Sequence, residues 1–533
     1  MYSIISNIET RLEFMSKKII IPLFIICSIS LLLRIFYFPS DIPLTLDAVG
    51  YFWYAVETNI LGHFPSEYPF PNTGWPMFLS LFFGIINSNN FMDYMMVQRV
   101  LTIGISVVTI IPVYFLCKKF FKKSIALIGT ILFAFEPHLI QHSMLGITDT
   151  LYIFLIIISF LLLISKNDNV TNVSFGIAAL SAIVRYEGML YLIVLSIMFF
   201  ILFKKERKSI PKFLIAITIY ILVLIPILYL RIQTTGDDGL TSHVLGGAIA
   251  TTVIASGQSD ISPNLTQFLS NGFQNLIMYT GWGMIPYFVI LAPIGVILGL
   301  KRKNPQYFGI ILSIIVLAIP ALYAYSRDIQ EPRYLLVLMP FFSILSLFTI
   351  NFVLNKTNRN KLFIILLIII IVLSSIIFLE LKKVDLDHER EAAAIAQEVA
   401  KLTKVTNVYL PESKYLKTAS IGNNFPVTRS NSIPETITLN TNYLSMIDFI
   451  KNNEKNNLTH IVVDNDHESK ILKEIYANAG LNNDANDEEY PVLPQFNRHE
   501  EEEGYRDDVD IEDENYEEYV GGLDEEQEAV YNE

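Results

Sequence analysis

Long runs of apolar residues, separated by short polar segments, recur along roughly the first 380 residues of the chain. A run of about 17 to 25 apolar residues can cross a hydrocarbon core of about 30 Å as an α-helix. The pattern therefore predicts a mainly α-helical, polytopic membrane bundle over residues 1–381, with about eleven spans by this length criterion. The runs lie at 19–38, 94–117, 124–141, 149–165, 172–184, 187–203, 210–231, 280–300, 306–325, 334–354 and 362–381.

Basic residues lie on alternate sides of these predicted spans. The segments "KKFFKK", "KKERK" and "KRK" fall on the same side as the N-terminus, whereas the loops at 39–93, 137–148 and 232–279 contain no Lys or Arg. Because basic loops stay in the cytoplasm, this asymmetry predicts a cytoplasmic N-terminus. The Lys-, Ile- and Asn-rich composition is typical of a prokaryote with an AT-rich genome, so the expected location is the plasma membrane.

Two of the predicted outer loops, 39–93 and 232–279, are longer than simple connections. The first contains "WPMFLSLFFGII", which is apolar but shorter than a span and is predicted to lie at the interface or to be re-entrant. The second is rich in Gly, Ser and Thr, which predicts a mobile lid.

The chain becomes charged after Leu381. Predicted helices and strands alternate over 382–481, which indicates a small α/β domain, outside the membrane if the number of spans is odd. Residues 482–533 form a very acidic tail that is either disordered or adds one or two edge strands. The net charge of −13 hides two regions of opposite character, because the acids crowd into the last third while the first 380 residues are locally basic between their apolar runs. No basic groove or motif for nucleic acid is present.

Polar residues that could perform chemistry collect at the predicted outer ends of the spans. A charge there costs little when it faces water and several kcal/mol when it faces lipid, so such residues indicate a functional site. They are Asp47, Glu136, His138, His142, Asp149, Arg185, Glu187, Arg327, Asp328, Glu331 and Arg333.

Four of these features, in this order, resemble the GT-C superfamily of membrane glycosyltransferases. They are Asp47 followed by aromatic residues, the segment "GWPMFLSLFF", the turn "GITD" that ends at Asp149, and "EPRYLLVLMP" around Arg333. The superfamily includes protein O-mannosyltransferases, aminoarabinose transferases and the catalytic subunit of oligosaccharyltransferase. The resemblance covers about residues 19–381. It implies a sugar donor on a polyprenyl phosphate or diphosphate, an acceptor that enters from outside, and inversion in a single displacement.

The resemblance also implies roles for the charged residues. Asp47 is the expected general base, because a positioned carboxylate can accept the proton of the attacking hydroxyl. Arg333 is expected to bind the donor phosphate, with Arg327 as the second choice, because a guanidinium is a permanently charged, two-pronged donor. The alternatives are local: Asp47 could cap a helix, and Arg333 could anchor at the interface.

Further residues are expected to bind the acceptor, a metal or the sugar. Asp149 matches a second acidic residue of the family and could position the acceptor or ligate Mg or Mn, with Glu136 and His142 as weaker candidates. Asp149 could equally cap the following helix. Tyr51 and Tyr54 could stack against sugar or belong to the aromatic belt of the membrane.

The sequence departs from the family at two points. Many relatives have adjacent acids in the first outer loop, but Asp47 is followed by Ala48 and Val49, which argues against metal assistance. The string "WWD" is absent, so recognition of a peptide sequon is not predicted, and protein, lipid and polysaccharide stay open as acceptors. A transporter or flippase is the rival class, although transporters usually place their charges at the bilayer midplane and show repeat symmetry.

Overall fold

The structure is a computed structural model. It describes residues 17–45, 47–66, 71–86, 88, 91–165, 168–204, 209–244, 246, 265–302, 304–327, 329, 331–356, 360–383, 386, 390, 407–410, 435–438 and 460–461. These residues belong to one compact unit, Met1–Asn486. The predicted acidic tail at 482–533, which includes the second unit Asp487–Glu533, lies outside the described residues.

The described part of the chain is mainly α-helical, as the apolar pattern predicts. Its α-helices, numbered here in chain order, are α1 Lys17–Phe36, α2 Asp47–Leu61, α3 Gly74–Phe83, α4 Phe91–Phe120, α5 Lys123–Ala134, α6 Pro137–Ser143, α7 Asp149–Leu163, α8 Asp168–Val184, α9 Tyr191–Leu202, α10 Ser209–Thr235, α11 Leu265–Gly283, α12 Phe288–Leu300, α13 Pro305–Leu317, α14 Ile319–Ser326, α15 Met339–Lys356 and α16 Asn360–Leu381. Two 3-10 helices, Tyr186–Leu190 and Pro332–Leu338, precede α9 and α15.

Six helical segments in the described residues are long and apolar enough to cross a membrane, and the number rises to eight if two bent helix pairs count as single spans. The pairs are α5 with α6, bent by 55°, and α11 with α12, bent by 109°. The protein is therefore a multi-pass membrane protein, but the predicted count of eleven spans is not confirmed. The difference arises because several apolar runs form shorter or broken helices, such as α7, α8 and the segment Tyr186–Leu202.

The predicted outer loop 39–93 is largely helical. The buried face of α2 includes Phe52, and the buried face of α3 includes Trp75 and Phe83. The rings of Phe52 and Phe83 meet edge to face with centroids 5.6 Å apart, which joins the two helices in one apolar cluster. This packing fixes α2, and with it Asp47 at its first residue.

Close backbone contact brings α3 against the end of α8. A Cβ atom added at Gly74 would lie 2.8 Å from the backbone nitrogen of Val184 and 2.9 Å from the carbonyl of Ile183. Only glycine permits this approach. The chain after α8 then breaks at "RYEG", which spans the gap between the predicted runs 172–184 and 187–203, and Arg185 occupies the break.

Three short strands follow the helical bundle: β1 Asn407–Leu410, β2 Glu435–Thr438 and β3 His460–Ile461. They pair in parallel in the order β2-β1-β3, with Val408 opposite Thr436 on one side and His460 on the other. The remainder of the predicted α/β domain at 382–481 lies outside the described residues, so the domain stays a prediction. The predicted lid at 232–279 contains the end of α10 and most of α11, so these two parts of it are helical.

Candidate active site

Asp47 and Arg333 form an ion pair at the start of two helical segments. Arg333 Nη1 lies 2.5 Å from Asp47 Oδ2. The side chain of Asp47 is 40% exposed and that of Arg333 is 24% exposed, so the pair faces an accessible space. The Nε atom of Arg333 is buried and has no hydrogen-bond partner within the described residues. Arg333 therefore donates to Asp47 through Nη1 and keeps an unused, buried donor at Nε.

Arg185 forms a second, more deeply buried group with two carboxylates. Its Nη2 and Nε lie 2.8 and 3.4 Å from the two oxygens of Glu187, which is a forked contact. Its Nη1 donates to Asp149 Oδ1, and Thr148 Oγ1 lies 3.5 Å from the same nitrogen. All three ionised side chains are at most 10% exposed. The charges satisfy one another where water has little access.

The ring of Tyr334 lies between these two groups. The guanidinium carbons of Arg185 and Arg333 are 5.7 and 5.8 Å from its centroid, within cation–π range. Arg333 also lies close enough to Asp149 and Arg185 for their charges to interact. The structure thus brings Asp47, Asp149, Arg185 and Arg333 into one site, although the sequence separates them widely.

Asp149 does not cap the helix it begins. Its Oδ1 accepts from Arg185, while its Oδ2 is buried without a hydrogen-bond partner in the described part of the chain. Two further buried polar atoms nearby, His142 Nδ1 and Thr150 Oγ1, also have no hydrogen-bond partner among the described residues. His142 Nδ1 lies 4.0 Å from Asp149 Oδ2, and all three side chains line a small cavity with room for about one water molecule.

Glu136 has a structural role at the bend between α5 and α6. Its Oε2 accepts from the backbone N–H of Leu139 at 2.6 Å, which caps α6. Its Oε1 lies 2.8 Å from His138 Nδ1. The predicted grouping of Glu136 with His142 around a ligand is therefore not what the structure contains, because local partners take both oxygens of Glu136.

Tyr51, Tyr54 and Arg327, also predicted as site residues, have partners within the protein. Tyr54 is fully buried, and Tyr51 is 5% exposed, with its hydroxyl accepting from Asn72 Nδ2 at 3.3 Å. Neither presents an open ring face for sugar stacking. Arg327 lies over the ring of Tyr323 and donates to its hydroxyl at 3.4 Å. Asp328 lies outside the described residues.

The described side chains offer few ligands for the predicted Mg or Mn ion. Mg²⁺ is usually held by one or two carboxylates together with water and substrate phosphates, so it does not need three grouped protein ligands. Within the described residues no three His, Cys, Asp or Glu side chains are grouped closely enough to hold a metal ion. Asp47 and Asp149 each bind a guanidinium, and the two unpartnered atoms of Asp149 and His142 make only a pair. Asp149 keeps one oxygen, Oδ2, that could face such an ion, and its metal role stays a prediction.

Four buried polar residues near the site were missed by the sequence reasoning. Gln98 and Arg99 lie within α4, Arg34 within α1, and Asn72 before α3. Asn72 joins two parts of the site, since it donates to Tyr51 and accepts from the backbone N–H of Tyr186 at 3.1 Å. A polar residue inside an apolar run is a recognisable signal, and it would have identified Gln98, Arg99 and Arg34.

These features define an integral-membrane helical protein whose polar site is built from helix ends. No family model matches the chain, and no curated protein matches it by sequence. By structure it is similar to the Archaeoglobus fulgidus oligosaccharyltransferase in complex with Zn and sulfate, with a TM-score of 0.51 and 14% identity over 83% of this chain and 62% of that chain. The same oligosaccharyltransferase tethered with an acceptor peptide containing the NVT sequon matches with a TM-score of 0.50 and 12% identity, over 76% and 63%.

A third similar structure is ArnT from Cupriavidus metallidurans bound to undecaprenyl phosphate. Its TM-score is 0.51 and its identity 10%, and the match covers 84% of this chain and 90% of that chain. The chain spans less than two thirds of the length of the oligosaccharyltransferase structures. At these identities the likeness establishes the fold: the chain has the GT-C fold, as its motifs predict.

Proposed function

We propose that the protein is an inverting glycosyltransferase that moves a sugar from a polyprenyl-phosphate or polyprenyl-diphosphate donor to an acceptor at the outer face of the membrane. The observation that carries this proposal is the accessible Asp47–Arg333 pair within a GT-C fold. This pair places a carboxylate that can accept a proton next to a guanidinium that can bind a phosphate.

Donor binding is the first step. The donor phosphate is an oxyanion and competes with the Asp47 carboxylate for the guanidinium of Arg333, which is 24% exposed. Guanidinium–phosphate contacts are strong because both charges and both hydrogen bonds are aligned. Binding of the donor therefore draws Arg333 away from Asp47 and leaves that carboxylate able to accept a proton.

Transfer then follows in a single displacement. The acceptor oxygen forms a bond to the anomeric carbon while the bond from that carbon to the phosphate oxygen breaks, and the anomeric configuration inverts. The acceptor proton passes to Asp47, and the departing phosphate retains the electron pair beside Arg333. A positioned base of this kind contributes about 10² to 10⁴ in rate. Asp149, Arg185 and Glu187 hold the wall of the site in place.

The membrane orientation is part of the same proposal. The distribution of basic segments favours a cytoplasmic N-terminus, and Asp47 and Arg333 then lie beneath the outer headgroups. The domain at 382–481 lies outside only if the number of spans is odd. The acceptor is a protein, a lipid or a polysaccharide.

The decisive experiment is a transfer assay in proteoliposomes with labelled polyprenyl-phosphate sugars. It compares the natural protein with Asp47→Asn and with Asp41→Asn, a matched control that removes an acid from the same outer segment. Asp41 pairs with Arg390 at 2.6 Å and makes no contact with Arg333 among the described contacts. Asp47→Asn is expected to lose transfer and Asp41→Asn to retain it. Full turnover by Asp47→Asn would remove Asp47 from the mechanism, and absence of transfer by the natural protein from every donor would favour a transporter.

A further inference from the structure

Gln98 is a buried amide within the membrane helix α4, and the site chemistry above makes no use of it. The side chain is fully buried. Its Nε2 donates to two backbone carbonyls from separate segments, Ala48 at 3.0 Å and Gly146 at 2.7 Å. Because both partners can only accept, the nitrogen of the amide must face them, which fixes the orientation of the side chain.

The two carbonyls flank the two acids of the site. Ala48 follows Asp47 directly, and Gly146 begins the turn that ends at Asp149. The carbonyl of Gly146 also accepts from Trp75 Nε1 at 3.1 Å, which ties the same turn to α3. One side-chain nitrogen therefore connects the backbone that carries Asp47 to the backbone that carries Asp149.

Stability alone does not explain the amide. Its Oε1 atom is buried without a hydrogen-bond partner in the described part of the chain, and an unsatisfied buried polar atom is costly. A leucine or methionine would avoid that cost but would remove the donor from the carbonyls of Ala48 and Gly146, so the amide is kept for what it does to these two segments. Polar residues inside membrane segments are usually retained for function.

The turn at Gly146 is shaped to meet this side chain. Gly146 has φ +82°, a conformation that other residues rarely adopt, and a Cβ atom there would lie 3.2 Å from Gln98 Cγ. The turn thus brings its carbonyl close to α4 without a side chain in the way.

We infer that Gln98 is a positioning residue that sets the separation of Asp47 and Asp149 and so holds Asp47 in register with Arg333. It touches neither donor nor acceptor and acts through the two backbone carbonyls. The inference rests on the proposed function for its effect on turnover, but the positioning itself is measurable without any transfer. A displacement of about 1 Å at a reacting group can lower the rate about 100-fold.

The test compares Gln98→Met, which keeps the size but removes the donor, with Gln98→Glu and with a matched control, Ser174→Ala. Ser174 Oγ donates to the carbonyl of Ser159 at 2.9 Å, so the control also removes a buried side-chain-to-backbone hydrogen bond between two helices, but away from the acids. We expect both Gln98 variants to lower kcat about 10- to 100-fold. The Kd for undecaprenyl phosphate should not weaken and should tighten by at most about fivefold, the limit set by release of Arg333 from Asp47. The control should change neither.

A second measurement is independent of activity. Carbodiimide labelling of carboxylates, read by mass spectrometry, reports how well Asp47 is held by Arg333, with Asp41 as the internal reference. Gln98→Met is expected to raise the Asp47 labelling rate several-fold relative to Asp41, and Ser174→Ala to leave it unchanged. Unchanged Asp47 labelling together with unchanged kcat in Gln98→Met would overturn the inference.

Two further outcomes are separable. If Gln98→Met does not fold, Gly146→Ala carries the test, because it displaces the same carbonyl from the other side; natural kcat and labelling in that variant would overturn the inference. If the natural protein transfers no sugar, the proposed function fails, and the labelling ratio still decides whether Gln98 positions Asp47.

Discussion

Arg333 Nη1 lies 2.5 Å from Asp47 Oδ2, although 286 residues separate them in the chain. The contact joins the first residue of α2 to the short helix that precedes α15. In the proposed reaction these groups serve different partners, since Asp47 takes a proton and Arg333 takes a phosphate. In this proposal, binding of the donor at Arg333 and release of Asp47 from that contact are therefore linked.

This linkage predicts that Asp47→Asn binds donor lipid more tightly while it fails to transfer sugar. The substitution frees Arg333 from its competitor. An exposed or half-exposed pair contributes up to about 1 kcal/mol, which corresponds to about fivefold in affinity. Transfer is expected to fall by about 10² to 10⁴. The measurements are the Kd for undecaprenyl phosphate and the rate of transfer.

The control for that prediction is Glu331→Gln, which removes a negative charge two residues from Arg333. If the effect came only from less repulsion between the site and the lipid phosphate, both variants would bind the lipid more tightly. If it comes from release of Arg333, only Asp47→Asn binds the lipid more tightly. Weaker or unchanged lipid binding by Asp47→Asn would contradict the linkage.

The buried group around Arg185 predicts a large loss of stability in Arg185→Gln. The substitution leaves Asp149 and Glu187 charged and buried without their guanidinium. Breaking a buried ion pair in this way costs about 3 to 5 kcal/mol. The measurement is the free energy of unfolding in detergent.

The matched variant for Arg185 is the triple substitution Arg185→Gln, Asp149→Asn and Glu187→Gln, which removes every charge of the group. It should regain much of the lost stability, because no unpaired charge stays buried. A triple variant as unstable as the single one would show that packing, not charge, dominates at this position.

The close approach of α3 to α8 predicts that Gly74→Ala destabilises the protein. The added methyl group meets the backbone of Ile183 and Val184, which cannot rotate away. Overpacking of this kind costs about 1 to 3 kcal/mol. Gly104→Ala is the control, because a Cβ atom there has open space around it within a helix and alanine favours helix by about 1 kcal/mol. The two substitutions are therefore expected to shift the Tm in opposite directions.

The contact between Asp41 and Arg390 predicts a small, pH-dependent contribution. Burial alone would raise the pKa of the Asp41 carboxyl, but its hydrogen bond to Arg390 and the charges of Arg390 and Arg99 hold that pKa below its ordinary value. A lowered pKa means that the stabilisation is present above the unfolded pKa of about 3.9 and disappears as the pH falls through the folded pKa. Because both side chains are largely in water, the contribution is at most about 1 kcal/mol and is screened by salt.

The measurement for this contact is the difference in Tm between the natural protein and Asp41→Asn at several pH values and salt concentrations. The difference should be small at pH 7, shrink in about 1 M salt and vanish at low pH. A difference that grows at low pH would have the wrong sign for this ion pair.

Much of the architecture could be predicted from the chain because hydrophobic length is a local property. The helical class, the membrane location, the break at Arg185 and the GT-C resemblance all follow from runs and motifs that can be read in order. The count of spans was less accurate, because a bend such as that between α5 and α6 depends on capping by Glu136 and on packing, neither of which changes the apolar composition.

The candidate site depended on tertiary structure to a greater extent. The sequence by itself determined which residues carry charge at the helix ends, and it identified Asp47, Asp149, Arg185 and Arg333 as residues to consider. Only the fold decided that Asp47 pairs with Arg333 and that Arg185 meets Asp149, because these partners come from different helices whose side chains meet through packing. Glu187, by contrast, is a neighbour of Arg185 in the chain. The same holds for Gln98, whose partners are backbone carbonyls and therefore leave no trace in the sequence.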